Sequence, residues 1–164
     1  MSPPISRASP RATDEITGVL VRDDLSSTLM HVLDARAGLE AATARLAARH
    51  ATPEAIAAVS NALDARDRAH DAGDLAEYAH ADAQFHRAVV HASGNPLLIR
   101  LHAAVGEALD ESIRDTSALP EDPQVGRAHH RLLDAIQNHR PEAAATIAYE
   151  LIESVKNSVD EPRR

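Results

Sequence analysis

An aspartate and two histidines occupy positions that helical periodicity assigns to the interior of the protein. Asp82 falls within a series of apolar residues spaced three and four apart, and His86 follows four residues later on the same face. His129 interrupts the apolar series of a later segment in the same way. One carboxylate and two imidazoles in an interior are a usual ligand set for zinc, nickel, manganese or iron. The spacing therefore indicates a divalent-metal site, although the pattern alone is not specific to one.

An arginine in the first helical segment offers a second interpretation of Asp82. Arg36 lies in the middle of an apolar stripe, with Glu40 one turn further on. A buried carboxylate is costly unless it is paired, protonated or bound to a metal. Asp82 could therefore form a salt bridge with Arg36, and each histidine could be an ordinary hydrogen-bonded core residue. Glu40 is expected to pair with Arg36 or Arg45 rather than to contact a ligand.

The composition excludes several other kinds of site. The chain has 164 residues and no cysteine, which rules out disulfides and thiolate metal ligands. The formal net charge is −8 and aromatic residues make up 2%, which argues against direct binding to nucleic acid. No segment has the length and hydrophobicity of a signal peptide core or a membrane span, so we expect a cytoplasmic protein.

Helix start signals recur along the chain at regular intervals. Thr52, Asn95 and Asp122 each precede a proline, which is typical of an N-cap residue followed by the first helical position. Gly73 and Asp74 end one helix and begin another, and Pro141 marks a last start. These signals predict an all-α antiparallel bundle of about six helices. The predicted helices span about 24–49, 53–71, 74–93, 96–117, 122–138 and 141–159.

Three stretches of the sequence together resemble a known family. They read DARAGLEAATARLAARHATPE at 34–54, GDLAEYAHADAQFHRAVVHASGNPLL at 73–98 and AHHRLLDAIQNHRPEAA at 128–144. In this order they resemble the FCD domain, the C-terminal effector-sensing domain of FadR-subfamily GntR transcriptional regulators. The resemblance covers roughly residues 24–156 and implies an antiparallel helical bundle that forms a homodimer.

The resemblance also implies a site. Many FCD domains bind a divalent metal through one aspartate and three histidines, beneath a pocket for a small carboxylate. It assigns the metal ligands to Asp82, His86 and His129, while Glu150 occupies the position of the third histidine. A glutamate there would give a harder ligand set that favours manganese or iron, or else the metal is lost or weakly held. The ligand-binding residues that we assign are Arg36, Tyr78, His130 and Tyr149.

The residues before the first helix depart from the family pattern. Residues 1–23 are rich in proline and serine and are expected to form a disordered tail or the remnant of a linker or wing, with TGVLVRD at 17–23 resembling a wing strand. They are too few for the winged helix-turn-helix of full regulators. The domain is expected to span residues 24–160, either trimmed from a regulator or naturally alone.

Three functions remain open from the sequence. The first is a sensing module in which a metal and Arg36 bind a small carboxylate and shift helix packing or dimer geometry. The second is a metal-dependent isomerase, cyclase or lyase, with Glu150 as general base and Tyr149 or His130 as acid. The third is a purely structural interaction domain.

Overall fold

The computed structural model describes residues 25–104 and 123–160, and every helix named here lies within them. Six helices occupy these ranges, and the described residues contain no strand: α1 Leu25–His50, α2 Pro53–Ala72, α3 Leu75–Ala92, α4 Pro96–Ala104, α5 Pro123–Gln137 and α6 Pro141–Asp160. The predicted all-α bundle is confirmed. Residues 1–23, the later part of the predicted fourth helix and Asp122 lie outside the described residues.

The predicted capping residues account for the helix boundaries. The Thr52 side chain accepts a hydrogen bond from the backbone N–H of Ala55, and Asp74 accepts one from Glu77. Asn95 accepts bonds from the backbone N–H groups of Leu97 and Leu98 at the start of α4. Gly73 ends α2 with φ of 69°, a left-handed conformation that costs glycine little because it has no Cβ.

Alanine-rich helix faces form the core. α1 packs along α6, α2 packs along α3, and α5 lies against α6 while also contacting α1 and α2. Buried alanines line α1 and α6, and small side chains allow helix axes to approach closely. The main cluster includes Phe85, Leu132 and Ile136, all of which are nearly or fully buried. Within the described residues, no helix is long and apolar enough to cross a membrane.

Candidate metal centre and effector site

The fold brings Asp82, His86 and His129 together in the interior. Asp82 and His86 lie one turn apart on α3, and His129 reaches them from α5. One potential ligand atom from each residue lies within 4.8 Å of the others, and all three side chains are buried. The sequence had placed these residues on interior faces of two helices, and the packing of the two helices makes them neighbours.

Hydrogen bonds fix which nitrogen of each histidine carries a proton. His129 Nδ1 lies 2.8 Å from the carbonyl oxygen of Val125, which can only accept, so Nδ1–H donates and, in the neutral ring, Nε2 has the lone pair. His86 Nδ1 lies 2.7 Å from Oε2 of Glu40 and is assigned in the same way. Metal-binding histidines are commonly oriented by such a bond from the other ring nitrogen.

The two Nε2 atoms face the same carboxylate without forming hydrogen bonds to it. His129 Nε2 is 3.3 Å from Asp82 Oδ1, and His86 Nε2 is 3.6 Å from Asp82 Oδ2. Both nitrogens are buried polar atoms that lack a hydrogen-bond partner within the described part of the chain. Donor atoms around a tetrahedral ion with bonds of about 2.0–2.1 Å lie about 3.3 Å apart. The spacing and the two lone pairs therefore fit a divalent metal ion.

Asp82 also forms an ion pair with an arginine that the sequence analysis did not assign to the site. Arg66 of α2 donates from Nε to Asp82 Oδ1 at 2.6 Å, and both side chains are buried. The alternative pairing of Asp82 with Arg36 is not formed. The ion pair compensates the buried negative charge of Asp82, but it gives neither imidazole Nε2 atom a hydrogen-bond partner. The two imidazole nitrogens, rather than Asp82, are therefore the groups that call for a metal ion.

Arg36 and Glu40 form a second ion pair behind His86. Arg36 Nε donates to Glu40 Oε1 at 2.5 Å, while Oε2 of the same carboxylate contacts His86. Burial raises the pKa of Glu40, but the charges of Arg36 and His86 and hydrogen bonds from both outweigh burial and lower it to about 2. Glu40 is therefore ionised and links Arg36 to a candidate metal ligand.

The pKa values of the three candidate ligands diverge. Burial raises the pKa of Asp82, yet the adjacent imidazoles of His129 and His86 hold it well below its ordinary value. Burial lowers the pKa of His86, but the charge of Glu40 reverses the direction and raises it. Burial dominates for His129 and lowers its pKa. The group thus contains one ionised carboxylate and one imidazole that favours its neutral, ligating form.

An aromatic ring closes one side of the group. Phe85 is fully buried against both imidazoles, with its ring centroid 5.5 Å from that of His86 and 5.1 Å from that of His129 in edge arrangements. The ring limits the rotation of both imidazoles and keeps the surroundings apolar, which strengthens electrostatic interactions inside the site.

Three of the predicted site residues are not brought to this group. α6 buries Ile147, Ala148, Leu151 and Ile152, so the intervening Tyr149 and Glu150 point outward and are exposed. His130 follows buried His129 directly, and its exposed ring pairs with Asp67 at 2.9 Å. Successive helical residues are rotated by about 100°, so the side chain of His130 points away from the direction taken by His129.

Tyr78 is linked to the site by its contact with Arg66. The Tyr78 hydroxyl accepts a hydrogen bond of 2.5 Å from Arg66, and the guanidinium lies 4.7 Å from the ring centroid. Sequence reasoning missed Arg66, although a signal was present: it follows Val59 and Leu63 at spacings of four and three, on the buried face of α2. A charged residue in such a series indicates a buried polar contact.

Comparisons with known proteins agree with this architecture. The FCD domain family matches residues 31–154. The HTH-type transcriptional repressor NanR of Escherichia coli K12 is 31% identical over 148 residues, covering 85% of this chain and 55% of the repressor. NanR of Enterobacter sp. strain 638 is 28% identical over 147 residues, covering 85% of this chain and 56% of the length of that repressor. The chain spans about half the length of these relatives.

Solved structures show the same fold. A Streptococcus agalactiae GntR structure superposes with a TM-score of 0.73 at 23% identity, covering 87% of this chain and 64% of that one. E. coli McbR/YncC gives a TM-score of 0.62 at 18% identity, covering 81% of this chain and 68% of that one. Because the FCD domain family matches residues 31–154, most of the chain, this chain belongs to the FCD domain family.

Proposed function

We propose that this chain is an effector-binding domain that holds a divalent metal through Asp82, His86 and His129 and binds a small carboxylate there. The observation that carries the proposal is the pair of buried Nε2 atoms that face Asp82, each in a ring whose Nδ1 is already bonded. Burying two unsatisfied imidazole nitrogens is costly, and a shared cation would satisfy both.

The donor set supports zinc or nickel over manganese or iron. Glu150 would have added a second carboxylate, but its side chain is exposed on α6. Two imidazoles and one carboxylate form a softer set, and affinity for such ligands rises from manganese through iron to nickel. Three protein ligands also leave open coordination positions, at which a bound metal would accept a carboxylate oxygen.

Charge balance supports an anionic effector. The buried charged side chains around the site, Arg36, Glu40, Arg66 and Asp82, sum to zero when both histidines are neutral. A divalent cation would add two positive charges to this interior, and uncompensated buried charge is strongly unfavourable. Arg36 hydrogen-bonds through Nε alone within the described residues, so its terminal nitrogens suit a carboxylate.

Metal content of purified variants tests the metal site. We expect near-stoichiometric zinc or nickel by elemental mass spectrometry in the wild type after reloading, and loss of the metal in His86→Gln and His129→Gln. His91→Ala is the matched control because His91 is an exposed histidine on the same helix as His86. Equal metal content in all four proteins, or none in the wild type, would refute the proposal.

Binding of simple probes tests the carboxylate. We expect the metal-loaded protein to bind acetate but not acetamide, which has a similar shape and no charge. Arg36→Met should weaken acetate binding by tenfold or more, because a charged hydrogen bond to a carboxylate is lost. Indistinguishable titrations with acetate and acetamide would contradict the proposed ligand class.

The alternative of a metal-dependent enzyme gains no support from the site. The residues considered for proton transfer, Glu150, Tyr149 and His130, are all exposed, and His130 is engaged by Asp67. A general acid or base must lie within hydrogen-bond reach of the reacting group. Effector sensing therefore fits the arrangement better than turnover does.

We also infer that the domain acts as a homodimer and passes effector binding to a partner. α4 exposes two leucines one turn apart, Leu97 at 72% and Leu101 at 46%. Leu97→Glu combined with Leu101→Glu should yield a monomer by light scattering. Leu75→Glu is the control, since Leu75 is 65% exposed at the start of α3. A dimer that survives the α4 double variant would place the interface elsewhere.

A further inference from the structure

Arg66 is a fixed positive charge inside the candidate site. It reaches the interior from α2 and is 1% exposed. Its Nε donates to Asp82 Oδ1 at 2.6 Å, the same oxygen that faces His129 Nε2 at 3.3 Å. The guanidinium of Arg66 and the candidate metal-ligating nitrogen of His129 therefore lie near the same oxygen of Asp82.

Arg66 is anchored by more than Asp82. The hydroxyl of Tyr78 accepts a hydrogen bond from Arg66 Nη2, and the guanidinium lies over the Tyr78 ring. Arg66 Nη1 lies 3.6 Å from Asp67 Oδ1, and Asp67 is partly exposed and also pairs with His130. Because these contacts are independent of Asp82, Arg66 stays beside the carboxylate when another cation approaches.

We propose that Arg66 is a resident cation that competes with the metal for Asp82 and makes metal binding depend on an accompanying anion. This inference rests on the proposed metal site. A carboxylate oxygen that already accepts from a guanidinium is a weaker ligand, and the nearby positive charge repels a second cation. Arg66 thus acts as a positioning and charge-setting residue for the site.

The charge count explains the dependence on an anion. With Arg66 present, a divalent ion leaves the buried group with two excess positive charges; without it, one would remain. A small anion removes part of this excess and therefore favours metal binding. Metal and carboxylate should then bind cooperatively, each raising the affinity of the other by the same factor.

Zinc affinity of Arg66 variants, measured by competition with a chromogenic chelator in an acetate-free buffer, tests the competition. Arg66→Met should bind zinc at least tenfold more tightly than the wild type. Arg66→Lys, which keeps the charge, should stay within about threefold of the wild type. The matched control is Arg68→Met, an exposed arginine on the same helix, which should have no effect. Unchanged or weaker zinc binding in Arg66→Met would overturn the inference.

Zinc binding by the unmodified protein provides a second test that does not depend on the folding of a variant. Acetate, added at saturating concentration, should raise the zinc affinity of the wild type at least fivefold, whereas acetamide should not. Zinc affinity that is independent of acetate would overturn the inference while leaving the metal site intact. No zinc binding by the wild type under any condition would instead refute the proposed function and this inference with it.

Discussion

Replacing Glu40 with glutamine tests the buried polar network at the residue that links Arg36 to His86. Glu40 accepts from Arg36 through Oε1 and contacts His86 Nδ1 through Oε2. Glutamine keeps the size of the side chain but offers one acceptor oxygen and one donor group. One of the two buried donors, Arg36 or His86, must then face another donor, and the charge of Arg36 loses its partner.

The size of the effect follows from the pKa of Glu40. Its folded value of about 2 lies below the ordinary value of 4.5, a difference worth about 3 kcal/mol of stability. Breaking a buried ion pair by removing one partner typically costs about 3–5 kcal/mol, which agrees. Since the folded pKa is lowered, the contribution is fully present above pH 4.5 and is lost as the pH falls towards 2.

Urea unfolding of the wild type and of Glu40→Gln in the presence of a chelator, followed by far-UV circular dichroism, measures this dependence. The variant should be less stable by about 3 kcal/mol at pH 7, and the gap should narrow steadily between pH 4.5 and pH 2. Taking the difference between the two proteins cancels the titration of the other carboxylates. A gap that stays constant down to pH 2.5 would refute the assignment of Glu40 as the ionised link.

Three further predictions concern the surroundings of the site, the helix boundaries and the metal. Phe85→Ala should cost about 3–5 kcal/mol in urea unfolding, because it empties a fully buried position beside both imidazoles, and a loss below 1 kcal/mol would contradict the packing described. Thr52→Ala should cost about 1 kcal/mol through loss of the N-cap of α2, whereas Thr52→Ser should be close to neutral. By isothermal titration, nickel and zinc should bind more tightly than manganese, and the reverse order would indicate a harder ligand set.

The sequence predicted the helices and part of the site because each depends on local information. Helix starts at Pro53, Leu75 and Pro96 follow from capping residues whose bonds span only two or three positions. Asp82 and His86 share a face by helical geometry alone. Which residues meet across helices depends on packing, and local spacing does not determine it. The ion pair between Arg66 and Asp82 joins residues 16 apart on different helices and was therefore missed.

Glu150 is the residue for which the family resemblance was misleading. The resemblance assigned it as a metal ligand from a short pattern on α6, and this assignment did not consider which face of the helix is buried. Ile147, Ala148 and Leu151 are buried, and this spacing of four residues fixes the inward side. A position between Ala148 and Leu151 then faces outward. The helical periodicity of the buried residues therefore predicts the exposure of Glu150 better than its position in the family pattern does.

The buried ion pairs also restrict how the helices can pack. Arg36 and Glu40 of α1, Arg66 of α2, Asp82 and His86 of α3 and His129 of α5 form one connected set. A core made largely of alanine discriminates weakly between alternative helix rotations, since alanines on neighbouring faces are nearly equivalent in size. Rotating α3 by one residue would leave the charge of Arg66 buried without Asp82, at a cost of about 3–5 kcal/mol. We infer that the same polar residues that form the candidate site select the packing that assembles it, so a ligand that alters their charge acts directly on the contacts between four helices.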